Sequence, residues 1–155
     1  MIYVTVGTMY LDFPRLVRAM DAIAETTEER VVIQTGLGTT LPVHCSHFDF
    51  KSREDVLALQ GESRLIVCHA GIGSVIDALG AKKPLIVVPR LKSFGEHNND
   101  HQLELAQAVE GRGWGSSVTE IDDLADACAT PPEVYCDYVS GKRALVDHIR
   151  GVLRS

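Results

Sequence analysis

No apolar run in this 155-residue sequence approaches the roughly 18 residues of a membrane-spanning helix, and no secretory leader precedes Met1-Ile2-Tyr3. The expectation is a cytoplasmic chain without a membrane span. Its four cysteines (Cys45, Cys68, Cys128 and Cys136) show no CxxC spacing. That removes the usual zinc and dithiol motifs and leaves reduced thiols, Cys68 at the end of an apolar run serving as a small hydrophobe. Basic stripes are absent too. Lys and Arg number 15 against 21 Asp and Glu, a formal charge of -6, so nucleic acid is not the expected partner. Internal repeats, low-complexity segments and linkers are also missing. With 45% hydrophobic residues, the chain reads as one globular domain over residues 1–155 with a core of its own.

Several nucleotide and metal signatures are lacking as well. Without a GK[ST] triplet there is no P-loop. A dinucleotide fingerprint would place GxGxxG after the first strand, yet the first turn holds only Gly7-Thr8. In the later Gly71-Ile72-Gly73 turn, Ile76 stands where the third glycine would fall. No D-x-D pair is present to hold a divalent ion on a diphosphate, and no HExxH to hold zinc. His44 and His47 flank Cys45 without a fourth ligand at convincing spacing, and so read as surface or sheet-end histidines. Neither a metal nor a cofactor is expected.

What is present is concentrated between Leu65 and Gln102. Leu65-Ile66-Val67-Cys68 has the length and branching of a buried parallel strand. His69-Ala70-Gly71-Ile72-Gly73-Ser74 follows at once, and then the apolar stripe Val75, Ile76, Ala78, Leu79 of a helix. Strand, glycine turn and helix start make a cradle for an anion, because glycines let the backbone approach and the first-turn N–H groups point at the ligand. Ser74 can cap the helix or donate its hydroxyl to a phosphate. A second strand, Leu85 to Val88, runs into Pro89-Arg90 and a polar loop with Glu96, His97, Asn98, His101 and Gln102. Polar groups beyond the carboxyl ends of adjacent parallel strands form the usual ligand crevice of open α/β sheets. A tight turn that packs and binds nothing would leave that polar loop unexplained. His69, at the strand end, is read either as a donor to phosphate or substrate, or as a brace for the loop.

The rest of the chain alternates strand and helix. Strands are predicted over Ile2 to Val6, Val31 to Gln34, weakly around His47 to Phe50, and near Gly115 to Val118. Helices are predicted over Asp12 to Glu25, with Phe13, Leu16, Val17, Met20 and Ile23 inward and Pro14 in the first turn, and from a Ser52-Arg53-Glu54-Asp55 cap through Leu59. Further helices start at Asp100, with Leu103, Ala106 and Val109, and near Glu120, with Pro131-Pro132 as a stop. A last helix is predicted from Lys142 to Leu153, with Leu145, Ile149 and Val152 inward. The pattern predicts an α/β fold: a Rossmann-like parallel sheet with helices on both faces.

The string HAGIGS-x2-DALGAKKPLIVVPR followed by GEHNNDHQLELA resembles the carboxy-terminal donor domain of glycosyltransferase family 28. The opening VTVGT and the Phe50-Lys51 stretch are similar as well. The likeness is strongest to short relatives, namely the catalytic subunits of two-subunit UDP-GlcNAc transferases and of bacterial exopolysaccharide glycosyltransferases. It implies the donor half of an inverting GT-B enzyme. On that resemblance, His69, Ala70, Gly71, Gly73 and Ser74 hold the UDP diphosphate, with Gly7 and Thr8 beside it. Asp77, where many relatives carry Glu, takes the ribose hydroxyls, and backbone near Phe50 reads the uracil. His101 and Gln102 contact the sugar, and Glu96 of the polar loop is a further candidate substrate-binding residue.

The resemblance further implies a UDP-sugar donor, a lipid-linked glycan acceptor, and a membrane-associated partner subunit that supplies the acceptor half. That partner would recruit the chain to the cytoplasmic membrane face. His69 is the candidate catalytic group on this chain, with the base otherwise expected on the partner. A non-catalytic nucleotide-sugar-binding regulatory module is the alternative.

Overall fold

A computed structural model describes residues 1–138, 146–147, 149–151 and 154. Six parallel strands form one sheet in the order β3-β2-β1-β4-β5-β6. They are β1 (Ile2–Thr5), β2 (Val31–Gln34), β3 (Ser46–Phe48), β4 (Leu65–His69), β5 (Leu85–Val88) and β6 (Ser116–Ser117). Between them lie α1 (Pro14–Glu25), α2 (Arg53–Glu62), α3 (Ile72–Ala81) and α4 (His101–Gly111), and α5 (Leu124–Ala129) follows β6.

The four central strands are buried along their whole length, which is why they read as continuous apolar runs. Their side chains nonetheless alternate between two layers. Ile2, Val4, Leu65, Val67, Ile86 and Val88 join α1 and α5 on one face. Tyr3, Ile66, Cys68, Leu85 and Val87 join α3 and α4 on the other. Strand order reverses between β1 and β4, whose registers pair Thr5 with Cys68. The turns leaving those two strands therefore diverge and open a crevice at the carboxyl edge of the sheet.

Helix boundaries follow their caps. Pro14 occupies the first turn of α1, whose Leu16, Val17, Met20 and Ala24 are buried, whereas Ile23 is only partly covered. Ser52 accepts from the Asp55 N–H at 3.1 Å at the head of α2, with Glu54 and Asp55 in the first turn, as its sequence predicts. Helix α4 departs from expectation in phase. Its buried face is Gln102, Leu105, Ala106 and Val109, and Leu103 is partly exposed. The stripe begins on a polar residue, so counting apolar positions alone misplaces it.

The remaining differences lie toward the edges and the carboxyl end. Strand β3 is three residues long and β6 two. A 3-10 turn, Ile121–Asp123, precedes α5. Of the last predicted helix, Ile149 is buried in the α3–α4 layer, and Leu145 and Val152 lie outside the described residues. No described helix is long and apolar enough to cross a membrane.

Candidate functional site

The crevice at the reversal of strand order has a volume of about 560 Å³. Gly7, Thr8, Phe50, His69, Gly71, Gly73, Ser74, Asp77 and Gln102 all line it, so the structure brings most of the predicted residues together. Ala70 is buried in the core, and Glu96 and His101 do not line the crevice.

Helix α3 starts at its wall with Gly71 as N-cap and no side chain capping it. Ser74 is therefore not the cap. The first-turn amides have no intrahelical acceptor and remain available to an anion, where the helix dipole adds to them. Gly73 faces open space, since a Cβ there would meet nothing within 4 Å. Gly7 and Gly71 are glycines for a different reason: a Cβ on either would collide with the His69 ring, and Gly7 also has φ +79°. One glycine of the expected phosphate cradle, Gly71, and the neighbouring Gly7 thus house an imidazole.

His69 is engaged at both ring nitrogens. Its Nδ1 lies 3.1 Å from Gln102 Nε2 and its Nε2 lies 3.1 Å from Ser74 Oγ. Burial, helped by the Arg90 charge and opposed by the Gln102 bond, pushes its pKa down to about 4. With both ring nitrogens engaged, His69 is held between Gln102 and Ser74 on the wall of the crevice. Arg90 itself is fully buried. It donates to the carbonyls of Val6 (2.6 Å), Leu11 (2.8 Å), Glu96 (3.1 Å) and Asp12 (3.3 Å), tying the β1 turn to the loop after β5. Its guanidinium lies 4.8 Å from the Phe13 ring centroid.

Glu96 serves the same scaffold. It accepts from Arg15 at 3.0 and 3.1 Å and from the Leu91 N–H at 3.1 Å, and Arg15 also reaches the Pro89 carbonyl at 2.8 Å. Three of the carboxylate's acceptor positions are thus used inside the protein. His101, exposed on the first turn of α4, takes the Asn99 side chain as its backbone partner at 3.0 Å. Its neighbour in the loop, His97, lines the crevice instead, with burial and then Arg90 lowering its pKa.

Asp77, one helical turn beyond Ser74, lines the crevice and is paired with Arg53 at 2.9 and 3.2 Å. Arg53 and Lys51 both line the site and were not singled out in the sequence. The available signal was two cations beside Phe50 in a chain of net negative charge. Among the described residues, no group of His, Cys, Asp or Glu could hold a metal ion. The crevice can thus bind a phosphate at a helix terminus, offer a carboxylate to nearby hydroxyls and present cations, all from protein groups.

The sequence profile of the glycosyltransferase family 28 C-terminal domain matches residues 1–130. The human UDP-N-acetylglucosamine transferase subunit ALG13 is 32% identical over 125 residues, covering 72% of this chain and 10% of its own length. The Debaryomyces hansenii protein of the same name is 38% identical over 75 residues, covering 48% of this chain and 33% of its own length. The chain thus spans a tenth to a third of these relatives. Among solved structures, the solution structure of ALG13 superposes with a TM-score of 0.65 at 19% identity, covering 99% of this chain and 96% of that one. The calicheamicin glycosyltransferase CalG4 does so at 0.63 and 20%, covering 99% of this chain and 39% of that one. At such identities these structures show a shared fold, the Rossmann-like half of GT-B glycosyltransferases.

Proposed function

Because this chain belongs to the glycosyltransferase family 28 C-terminal domain family, we propose that it is the donor-binding, catalytic subunit of a heteromeric inverting hexosyltransferase. The donor is a UDP-sugar, and the acceptor is a lipid-linked glycan at the cytoplasmic membrane face. The observation that supports this best is the uncapped start of α3 with Ser74 and Asp77 on the same wall. It offers amides and a hydroxyl to a diphosphate, and a carboxylate to a ribose one helical turn away. Donors aimed at the departing UDP act where charge grows in the transition state, and so accelerate transfer.

A partner subunit follows from what the crevice lacks and from what its rim exposes. The histidine at its centre is neutral and engaged at both nitrogens, so the base that deprotonates the acceptor hydroxyl is assigned to the partner. Tyr10, Leu37, Leu41 and Phe94 are exposed on the loops after β1, β2 and β5, at the edge where an acceptor half would dock. Relatives named as transferase subunits are consistent with this. They favour a UDP-N-acetylglucosamine enzyme and lend no support to an exopolysaccharide pathway.

The same lack of a free base also favours the second reading, a regulatory module that binds a nucleotide sugar without turnover. One assay separates the two: UDP release by the chain with and without its partner, using a polyprenyl-diphosphate sugar acceptor. Turnover only in the complex, abolished by blocking the α3 terminus, supports the proposal. A complex equally active after that block makes this chain regulatory. Full turnover by the chain alone would contradict the divided enzyme, since acceptor positioning can supply roughly 7–11 kcal/mol of such a barrier.

A further inference from the structure

Gln102 is buried at the second position of α4, and both ends of its amide are engaged. Oε1 lies 3.1 Å from the backbone N of Arg90, and Nε2 lies 3.1 Å from His69 Nδ1. A backbone N–H can only donate, so the amide oxygen must face Arg90 and the NH2 must face the imidazole. An NH2 can only donate in turn, so Nδ1 holds a lone pair and the proton of the neutral ring sits on Nε2. Nε2–H then donates to Ser74 Oγ, 3.1 Å away. The Ser74 hydroxyl proton is left to turn into the crevice that the residue lines.

We propose that Gln102 is a positioning residue: by holding His69 in its Nε2–H form it makes the Ser74 hydroxyl a donor to the anionic group of the ligand, instead of reading the sugar. This rests on the reading of the crevice as a UDP-sugar site. The opposite tautomer would reverse every bond in the row. Nδ1–H would face the Gln102 NH2, Nε2 would accept from Ser74, and the serine would turn lone pairs toward a phosphate. Gly7 and Gly71 hem the ring in, so it cannot rotate away from that choice. The burial that keeps His69 neutral makes the tautomer, and not the charge, the variable that matters.

The test uses the full chain with 15N-labelled histidine. Long-range ring correlations report the His69 tautomer, and calorimetry reports UDP and UDP-N-acetylglucosamine affinities for wild type, Gln102→Ala and Gln102→Glu. Wild type should show Nε2–H in the free chain. Gln102→Glu keeps an acceptor for the Arg90 N–H but offers His69 a second acceptor, and should switch the ring to Nδ1–H; a glutamine that only braces the loop would leave the tautomer unchanged. Gln102→Ala should weaken both ligands by the same factor, about tenfold. In a Ser74→Ala background, the same change should cost less than about twofold. A wild-type Nδ1–H ring would overturn the proposal. So would a Gln102→Ala variant that weakens UDP-N-acetylglucosamine and leaves UDP untouched. If wild type binds neither ligand, the UDP-sugar reading fails, while the free-chain tautomer still decides the relay.

Discussion

The two walls of the crevice are both rich in polar groups, and they differ in what is left unsatisfied. On the wall after β5, Glu96 is closed onto Arg15 and Leu91, Asp100 accepts from the Lys92 N–H, Asn99 from the His101 N–H, and Gln102 spans Arg90 and His69. On the wall after β4, the α3 terminus has no side-chain cap, and Gly73 faces open space. A polar loop can therefore be a scaffold as readily as a binding surface. Donors without partners, more than polar residues as such, mark where a ligand goes.

That contrast breaks if the scaffold wall turns out to be dispensable. Glu96→Ala strips a side chain that is 3% exposed from an arginine that is 14% exposed, and should lower folding stability by about 3 kcal/mol, read as a shift of the denaturation midpoint. An unchanged midpoint would mean that the loop is not held by this pair. The opposite wall should respond in binding and not in stability. Asp77→Ala removes an acceptor worth roughly 1.5–3 kcal/mol to ribose hydroxyls, so UDP should weaken about ten- to a hundredfold while inorganic pyrophosphate is nearly unaffected. Its ion pair with Arg53, whose side chain is 62% exposed, is screened by solvent and adds little to the fold. Equal losses for UDP and pyrophosphate would make Asp77 structural.

A glycine series sharpens the comparison. Gly73→Val adds a side chain to open space near the start of α3, so the fold should survive while UDP weakens by about tenfold, in line with the ~1–2 kcal/mol a helix terminus lends an anion. Gly71→Ala instead drives a methyl group into His69 and should perturb that ring's resonances in the free protein. Identical behaviour of the two variants would erase the distinction between them.

The smallest effect expected is that of pH on binding, although the same ring makes folding pH-dependent. His69 is held down to about 4 from 6.5, so the unfolded chain binds a proton that the folded one refuses. Stability from this group is complete above about 6.5 and declines as pH falls toward 4, by up to roughly 3 kcal/mol in all. For Asp12 and Asp21, burial pushes the pKa up but several hydrogen bonds together outweigh it and hold both below their ordinary 3.8, so their losses begin lower, as pH drops below that value. Binding of UDP-N-acetylglucosamine, whose diphosphate diester does not titrate in this range, should owe no transition to His69 between about pH 5 and 8. A midpoint near 6.5 in the His69 ring resonances would show an imidazole that titrates normally.

Much of the fold was legible because the runs Ile2–Thr5, Leu65–Cys68 and Leu85–Val88 are long, β-branched and bounded by turns, and Ser52 is a strong cap. The site's location was read from the glycine turn after Leu65–Cys68 and the polar loop after Leu85–Val88. Roles were harder to read. Glu96 resembles a ligand-facing carboxylate until Arg15, 81 positions away in sequence, is seen to hold it. Gln102 lies on the buried stripe of α4 because its amide is satisfied there, which no hydropathy pattern reveals. Gly7 and Gly71 are explained by a ring that only the folded chain brings between them.

The most direct test of the central claim is a UDP titration of the 15N-labelled chain followed through its backbone amides. The account predicts the largest shifts at Ile72, Gly73 and Ser74, on the unsatisfied wall, with Glu96 and His101 little changed. Shifts confined to residues 92–101 with α3 silent would contradict it.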